Sequence, residues 1–269
     1  MTALDIVIVN YNTREDLAAC LRSLMDAPPT RPHQVTVVDN DSTDGSVEAM
    51  RASFPAVHVV AMGRNAGFAA ANNAGIRLTR APLIVLLNSD TLVPAGALDR
   101  LCDRLETTGA AAAGPRLVDG TGRPEMSWGA MLTPIVEWRQ QKLVRASTSG
   151  DPAALARIAS LTSVERDVDW VSGACLLVRR EIAERVGLLD ERYFMYEEDV
   201  DFCAAIRADG GRVLFTPAAE ITHLRGRARV KAPTRKPSYY DESHLAFYAK
   251  HAPGWVPWLR LWKRLKGRL

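Results

Sequence analysis

The stretch Leu83-Ile84-Val85-Leu86-Leu87-Asn88-Ser89-Asp90 decides the fold. Five consecutive apolar residues that end abruptly in polar ones read as a strand buried on both faces. An Asp at the carboxyl end of such a strand faces the crevice where open α/β sheets bind ligands. There it can hold a divalent cation against a diphosphate, because Mg²⁺ and Mn²⁺ take carboxylate oxygens together with substrate phosphates. Ordinary turn chemistry also puts Asp at strand ends, so the flanking sequence has to decide.

Outward from this stretch, the same strand-to-polar junction repeats. Asp5-Ile6-Val7-Ile8-Val9 ends at Asn10-Tyr11-Asn12, and Leu17, Cys20, Leu21 and Leu24 then follow at helical spacing between Arg14 and Met25. Val35-Thr36-Val37-Val38 ends at Asp39-Asn40-Asp41-Ser42-Thr43-Asp44-Gly45-Ser46, with a helix expected from about Ser46 to Ser53. Val57 to Val60 reads as a third strand, followed by Gly63-Arg64-Asn65-Ala66-Gly67-Phe68 and a small-residue helix through Leu78. Strands alternating with helices predict an α/β fold with a mostly parallel central sheet, flanked by helices and joined by right-handed crossovers. The polar residues then gather along one sheet edge.

With 269 residues, 47% of them hydrophobic, the chain can bury a sizeable core. Four cysteines, at positions 20, 102, 175 and 203, lack metal-type spacing and sit in apolar or helical contexts, which fits a reducing cytosolic compartment. The chain opens directly on a strand, without the charged and apolar regions of a signal peptide. No apolar run reaches the roughly 18 residues needed to span a bilayer.

A net charge of +3 conceals an asymmetry: residues 225–269 carry 12 Lys/Arg against 2 acids, leaving 22 against 29 elsewhere. The basic end suits an anionic partner. Arg225, Arg227, Arg229 and Lys231 read as a basic loop, whereas Trp255 to Lys266 has helical periodicity, with Trp255, Trp258, Leu259, Trp262 and Leu265 on one face and Lys263, Arg264, Lys266 and Arg268 largely elsewhere. Such a basic amphipathic helix suits a bilayer interface, or a docking site on the protein itself. No nucleic-acid module accompanies the charge, so nucleic acid is not expected as a partner.

In the second half, Asp169-Trp170-Val171-Ser172-Gly173-Ala174 reads as a tight turn into the buried strand Cys175-Leu176-Leu177-Val178, and a helix follows from Glu181 to Val186. Glu197-Glu198-Asp199-Val200-Asp201 puts four carboxylates into five residues. A helix N-terminus accounts for two of them through its macrodipole. One of the others is a candidate general base. His223 closes a later strand-like segment, while His33, His58, His244 and His251 suggest no functional role.

Together, Ile8-Val9-Asn10-Tyr11-Asn12, Val38 to Ser46, Asn65-Ala66-Gly67-Phe68, Asn88-Ser89-Asp90, Ser172-Gly173-Ala174 and Glu198-Asp199-Val200-Asp201 resemble a family 2 inverting glycosyltransferase of the GT-A fold, in its bacterial rhamnosyltransferase-like branch. The resemblance spans residues 4–225. It implies a nucleotide-sugar donor, a divalent cation (Mn²⁺ or Mg²⁺) and transfer to an acceptor hydroxyl with inversion. By the same resemblance Asn10, Tyr11 and Asn12 line the nucleotide pocket, Asp39 bonds the base or ribose, and Asn65, Gly67, Asn88 and Ser89 belong to the donor site. Asp90 is the metal ligand, although Asn88 stands where the family motif has a first Asp, and His223 has the spacing of a second ligand. Asp199 is the implied base, with Glu198 orienting it or touching the acceptor, and Trp170, Gly173 and Ala174 lie on the acceptor side. Arg225, Arg227 and Arg229 are candidates to close over the pyrophosphate.

The implied donor is dTDP-L-rhamnose, with a UDP-hexose or UDP-galactofuranose as alternatives. The implied acceptor is a polysaccharide or a polyprenyl-diphosphate-linked saccharide, met peripherally at the cytoplasmic face of the membrane. A non-catalytic sugar-nucleotide-binding subunit is the alternative of a different class. Residues 1–225 are expected to form the catalytic domain, with a nucleotide-sugar half to about 115 and an acceptor half beyond it. Residues 226–269 are expected to form a basic loop and a C-terminal amphipathic helical extension.

Overall fold

The computed structural model describes residues 1–224 and 238–269, so the proposed clamp of Arg225, Arg227 and Arg229 lies outside the described residues. The chain begins as anticipated with β1 (Leu4–Asn10), α1 (Arg14–Asp26), β2 (His33–Asp39), α2 (Ser46–Ser53), β3 (His58–Ala61), α3 (Phe68–Leu78) and β4 (Leu83–Asn88). Every residue of β1 is buried, because helices cover both faces of the sheet. β2 and β4 flank β1 in parallel, and β3 lies parallel outside β2. The strand order therefore reverses across β1 and β4, the switch point at which an open α/β sheet forms its ligand crevice. Asn10 and Asn88 stand at the carboxyl ends of those two strands.

Beyond β4 the sheet is mixed rather than parallel. The chain continues through β5 (Thr91–Leu92), α4 (Ala97–Thr108), β6 (Ala112–Val118), β7 (Trp128–Gly129), α5 (Pro134–Thr148), α6 (Pro152–Leu161), β8 (Arg166–Val168), β9 (Trp170–Val171), β10 (Cys175–Arg179) and α7 (Arg180–Arg185), with β7 and β9 pairing apart from the main sheet. β10 runs antiparallel to both β4 and β6. It enters the sheet through the tight turn at residues 172–174 and not through a helical crossover, which a parallel neighbour would require. α8 (Glu198–Ala208) and β11 (Val213–His223) follow, with β11 parallel to β6 and antiparallel to β5. That last pairing sets His223 opposite Thr91, one residue from Asp90.

Two further helices, α9 (Tyr239–His251) and α10 (Val256–Leu265), complete the described chain. α9 is tied to α5 by a half-buried network: Glu137, which also accepts from Gln141 of its own helix (2.8 Å), accepts hydrogen bonds from Tyr240 (2.7 Å) and Tyr248 (3.3 Å) and pairs with His244 Nε2 at 2.8 Å. The tail helix differs from its sequence reading. Leu259 and Lys263 face the body of the protein and are buried, while Trp255, Trp258 and Trp262 stay exposed. Lys263 joins the inner face because its ammonium meets the buried Asp241 carboxylate at 2.7 Å, which compensates the cost of removing it from water. No described helix is long and apolar enough to cross a membrane.

Candidate active site

The loops after β1, β2 and β3 are stitched together by short polar side chains. Asn10 is fully buried; its amide donates to Asp39 Oδ2 at 2.7 Å, and its carbonyl accepts from Thr13 Oγ1 at 2.7 Å. The second oxygen of Asp39 accepts from the backbone N–H of Ser42 at 2.8 Å. Asp39 is thus 2% exposed and shapes the loop beside it, rather than projecting into an open crevice. Tyr11 and Asn12 are half-buried at the rim, with Asn12 in left-handed backbone (φ 55°) and its side-chain oxygen accepting from Thr43 N–H.

Asn40 has no separate role in the sequence reading, yet it fixes the next loop. Its amide donates to Asn65 Oδ1 at 2.8 Å, and its carbonyl accepts from Ala66 N–H at 2.9 Å. Gly67 follows at φ +91°, and a Cβ there would lie 2.5 Å from the Phe194 carbonyl oxygen. Only glycine allows both that backbone conformation and that approach. The N–H of Phe68 donates to the same carbonyl at 2.7 Å, which joins the candidate donor loop to the segment leading into the carboxylate cluster.

At the end of β4, Ser89 Oγ shares a hydrogen bond with Thr13 Oγ1 at 2.8 Å. Asp90 and His223 come together as expected: Nε2 lies 3.3 Å from Asp90 Oδ1 and 3.5 Å from Asn88 Nδ2. The sequence reading misses Glu125, which stands 3.6 Å from the other ring nitrogen, Nδ1. No local motif announces Glu125; the turn after β6 delivers it through its backbone bond to Leu117. Burial opposes charging the imidazole, but hydrogen bonds and charge from Asp90 and Glu125 outweigh it and raise the His223 pKa to about 9. Asn88 Oδ1 is buried without a hydrogen-bond partner among the described residues.

These groups fit a divalent cation of the substrate-completed kind. Among the described residues no set of three His, Cys, Asp or Glu stands ready to cage a metal. Asp90 and His223 offer one oxygen and one nitrogen donor, and diphosphate oxygens would supply others, as Mg²⁺ and Mn²⁺ sites commonly arrange.

The carboxylate cluster divides into distinct jobs. Asp201 is structural: it accepts from Tyr193 Oη and pairs with Lys250 (2.8 Å) and His251 (2.6 Å) of α9. Glu197 is buried, in left-handed backbone (φ 69°); desolvation, then the charges of Asp199 and Glu137, push its pKa up to about 8 against the pull of Lys263. Glu198 is buried with Oε2 unpartnered among the described residues, and burial followed by the Asp199 charge raises its pKa well above the ordinary range.

Asp199 is the partly exposed member. Oδ2 accepts from Gly173 N–H at 2.8 Å and Oδ1 from Val200 N–H at 2.9 Å. Burial pushes its pKa up, and these backbone donors restrain the rise without cancelling it. Ala174, beside Gly173, accepts from Asn88 N–H at 3.0 Å. Asp199 and the Asp90–His223 pair therefore flank the ends of the adjacent strands β10 and β4. The Trp170 ring lies over Gly129, and its N–H donates to Ala130 O at 2.9 Å.

The glycosyl transferase family 2 model matches residues 5–187. The N-acetylglucosaminyl-diphospho-decaprenol L-rhamnosyltransferase of Mycobacterium tuberculosis (strain H37Rv) is 30% identical over 94% of this chain and 86% of its own. The dTDP-rhamnosyl transferase RfbF of Shigella flexneri is 27% identical over 84% of this chain and 70% of its own. Among solved structures, S. aureus TarS 1–349 in complex with UDP-GlcNAc superposes with a TM-score of 0.63 over 93% of this chain and 66% of that one, at 15% identity. GalNAc-T7 with UDP, GalNAc and Mn²⁺ gives 0.62 over 83% and 44%, at 16% identity. These likenesses place the α/β sheet in the GT-A fold. The chain belongs to glycosyl transferase family 2, in its rhamnosyltransferase-like branch, and is a glycosyltransferase.

Proposed function

We propose that this glycosyltransferase moves an L-rhamnosyl group from dTDP-L-rhamnose to a hydroxyl of a saccharide carried on a polyprenyl diphosphate, with inversion and with Mn²⁺ or Mg²⁺ as cofactor. The observation that carries the mechanism is Asp199, held by Gly173 N–H on one side of the β4–β10 strand ends, with Asp90 and His223 on the other. The names of the mycobacterial and Shigella relatives support the rhamnosyl donor, and the former supports a lipid-linked acceptor.

Asp199 takes the proton of the acceptor hydroxyl, whose oxygen bonds to the anomeric carbon as the bond to the nucleoside diphosphate breaks. Attack from the face opposite the leaving group inverts the centre. A raised pKa brings Asp199 closer to the working pH and strengthens it as a base. Glu198, whose buried Oε2 has no partner among the described residues, orients the acceptor. Asp90 and His223 would hold the cation, which when bound supplies positive charge to the leaving diphosphate. Asn10, Asp39 and Asn40 act through the loops they brace, which face the nucleoside and ribose. With a polyprenyl-linked acceptor, the enzyme works peripherally at the cytoplasmic membrane face.

The test is nucleotide release from a panel of dTDP- and UDP-sugars, with and without Mn²⁺ or Mg²⁺ and in the presence of a polyprenyl-diphosphate-saccharide acceptor. Metal-dependent release from dTDP-rhamnose by the wild type, lost in Asp199→Asn, is the expected result. Release from a UDP-sugar alone would overturn the donor while leaving the roles of Asp90, His223 and Asp199 intact.

A further inference from the structure

Most of the outer face of α10 turns away from the protein, with the Trp262 ring packed against Arg268. Leu259 and Lys263, one turn apart, make the attachment and are 4% and 0% exposed. The Lys263 ammonium meets Asp241 at 2.7 Å, and Arg268 reaches the same carboxylate at 2.6 Å. At about 100° per residue, Trp255, Trp262, Trp258, Leu265 and Leu261 sweep a continuous arc of about 120° beside that seam. They are 44%, 37%, 51%, 78% and 58% exposed. Half of the chain's six tryptophans thus stand partly in water, Trp258 and Trp262 on this ten-residue helix and Trp255 immediately before it. A contiguous apolar patch of this kind marks an interaction surface.

Charge selects the partner. Residues 252–269 contain five Lys/Arg and no acid. Lys263 and Arg268 are committed to Asp241, while Arg264 borders the arc beyond Leu261, Lys266 borders it beside Trp255, and Arg260 lies on the remaining polar side. A second copy meeting this face in a symmetric dimer would set cationic rims against each other. A layer with an apolar interior and anionic headgroups satisfies both the indoles and the rim. Indole rings favour that boundary, where their apolar body is buried and the N–H stays hydrated. A helix of about 15 Å is too short to cross a bilayer but long enough to lie in its surface.

We infer that the Trp255–Trp258–Leu261–Trp262–Leu265 face of α10 docks on an anionic lipid surface, held at a fixed attitude to the catalytic domain by the Lys263–Asp241 pair. This deepens the reading of a lipid-linked acceptor and rests on it for its purpose: the face would hold the enzyme where such an acceptor lies. It also corrects which residues do the docking, since Leu259 and Lys263 face inward.

The experiment is co-sedimentation of the full chain with phosphatidylcholine vesicles, with or without 30% phosphatidylglycerol, for wild type and Trp258→Ala/Trp262→Ala. Leu259 and the Lys263–Asp241 pair remain to hold the helix, so the variant keeps its melting temperature within a few degrees even without the Trp262–Arg268 contact, and neither indole touches the site, so it keeps metal-dependent nucleotide release from dTDP-rhamnose in vesicle-free solution. Wild type should partition at least tenfold more strongly onto the anionic vesicles, and the variant should lose at least tenfold of that binding. Wild type remaining in the supernatant, or a variant that binds equally well, overturns the proposal. So does a vesicle-free wild-type dimer that the substitutions dissociate, which would assign the face to a second copy. Vesicle binding is read without donor or acceptor, and nucleotide release without vesicles, so failure of the docking face and failure of the proposed transfer are separate results.

Discussion

The backbone N–H of Gly173 donates to Oδ2 of Asp199 at 2.8 Å, across the junction between the turn into β10 and the first turn of α8. Two elements distant in sequence thereby fix one carboxylate, and the N–H of Val200 fixes its other oxygen. A base held by backbone donors keeps its orientation when substrate arrives, so its contribution falls on turnover more than on binding.

Asp199→Asn keeps the shape and removes the base. General-base catalysis contributes about 10²- to 10⁴-fold, so kcat should fall by that order with donor KM within a few-fold of wild type. Burial raises the Asp199 pKa from its ordinary 3.8, and the ionised form is the active one. The acid limb of the wild-type kcat profile should therefore have its midpoint above the ordinary aspartate range, with activity falling as pH drops through it. A midpoint at or below 3.8, or an Asn variant with full turnover, would contradict the assignment.

Gly67→Ala tests the seam between the donor loop and the catalytic segment. The new Cβ would sit 2.5 Å from Phe194 O and 2.9 Å from its Cα, at a backbone φ of +91°. Extended backbone at positive φ (ψ 169°) is open essentially only to glycine and costs about 1–3 kcal/mol for a residue with a Cβ, and the clash is with backbone that cannot swing aside. The Phe68 N–H to Phe194 O bond should open, lowering the melting temperature and raising donor KM at least tenfold. Unchanged melting and unchanged KM would show that the loop relaxes freely.

Much of this architecture is legible in the sequence because its signals are local. The buried runs of β1, β2 and β4, each ending in a polar cluster, announce a switch-point crevice directly, whereas the close approach of Gly67 to the Phe194 backbone is not visible in the sequence. What escapes is what distant elements bring together. Glu125 reaches His223 only because β6 and β11 pair, and Asp39 loses its exposure because Asn10 closes on it from the end of the neighbouring strand β1 while Ser42 of its own loop caps its other oxygen. Helical spacing correctly identifies α10 as amphipathic, but it counts Lys263 with the solvent face. Asp241, 22 residues upstream, reverses that assignment.

His223 lies between two carboxylates, with Glu125 at Nδ1 and Asp90 at Nε2. An acid on the far ring nitrogen fixes the tautomer and orientation of a metal-binding His, and losing such a partner typically costs about 10- to 100-fold in metal affinity. Manganese affinity measured by electron paramagnetic resonance, in the presence of thymidine diphosphate, should fall within that range for Glu125→Gln and further for His223→Ala. Wild-type affinity in both variants would remove His223 from the metal site.

Glu197 carries the clearest prediction about stability. Its pKa rises from 4.5 to about 8 in the folded protein, chiefly through desolvation and then through the charges of Asp199 and Glu137. The folded state therefore binds this proton more tightly than the unfolded chain does. Its stabilising effect is fully present below pH 4.5 and is lost as pH climbs through the window to about 8. At about 1.4 kcal/mol for each pH unit separating the folded and unfolded values, the loss has a ceiling of roughly 5 kcal/mol. Glu197→Gln replaces the side chain with a neutral one of the same shape and leaves the left-handed backbone at residue 197 unchanged. The melting temperatures of variant and wild type should coincide near pH 4.5 and separate progressively toward pH 8, with the variant higher by several degrees. A gap of the opposite sign would mean that the ionised carboxylate is stabilised in place, with the Lys263 attraction outweighing both the burial and the neighbouring acids.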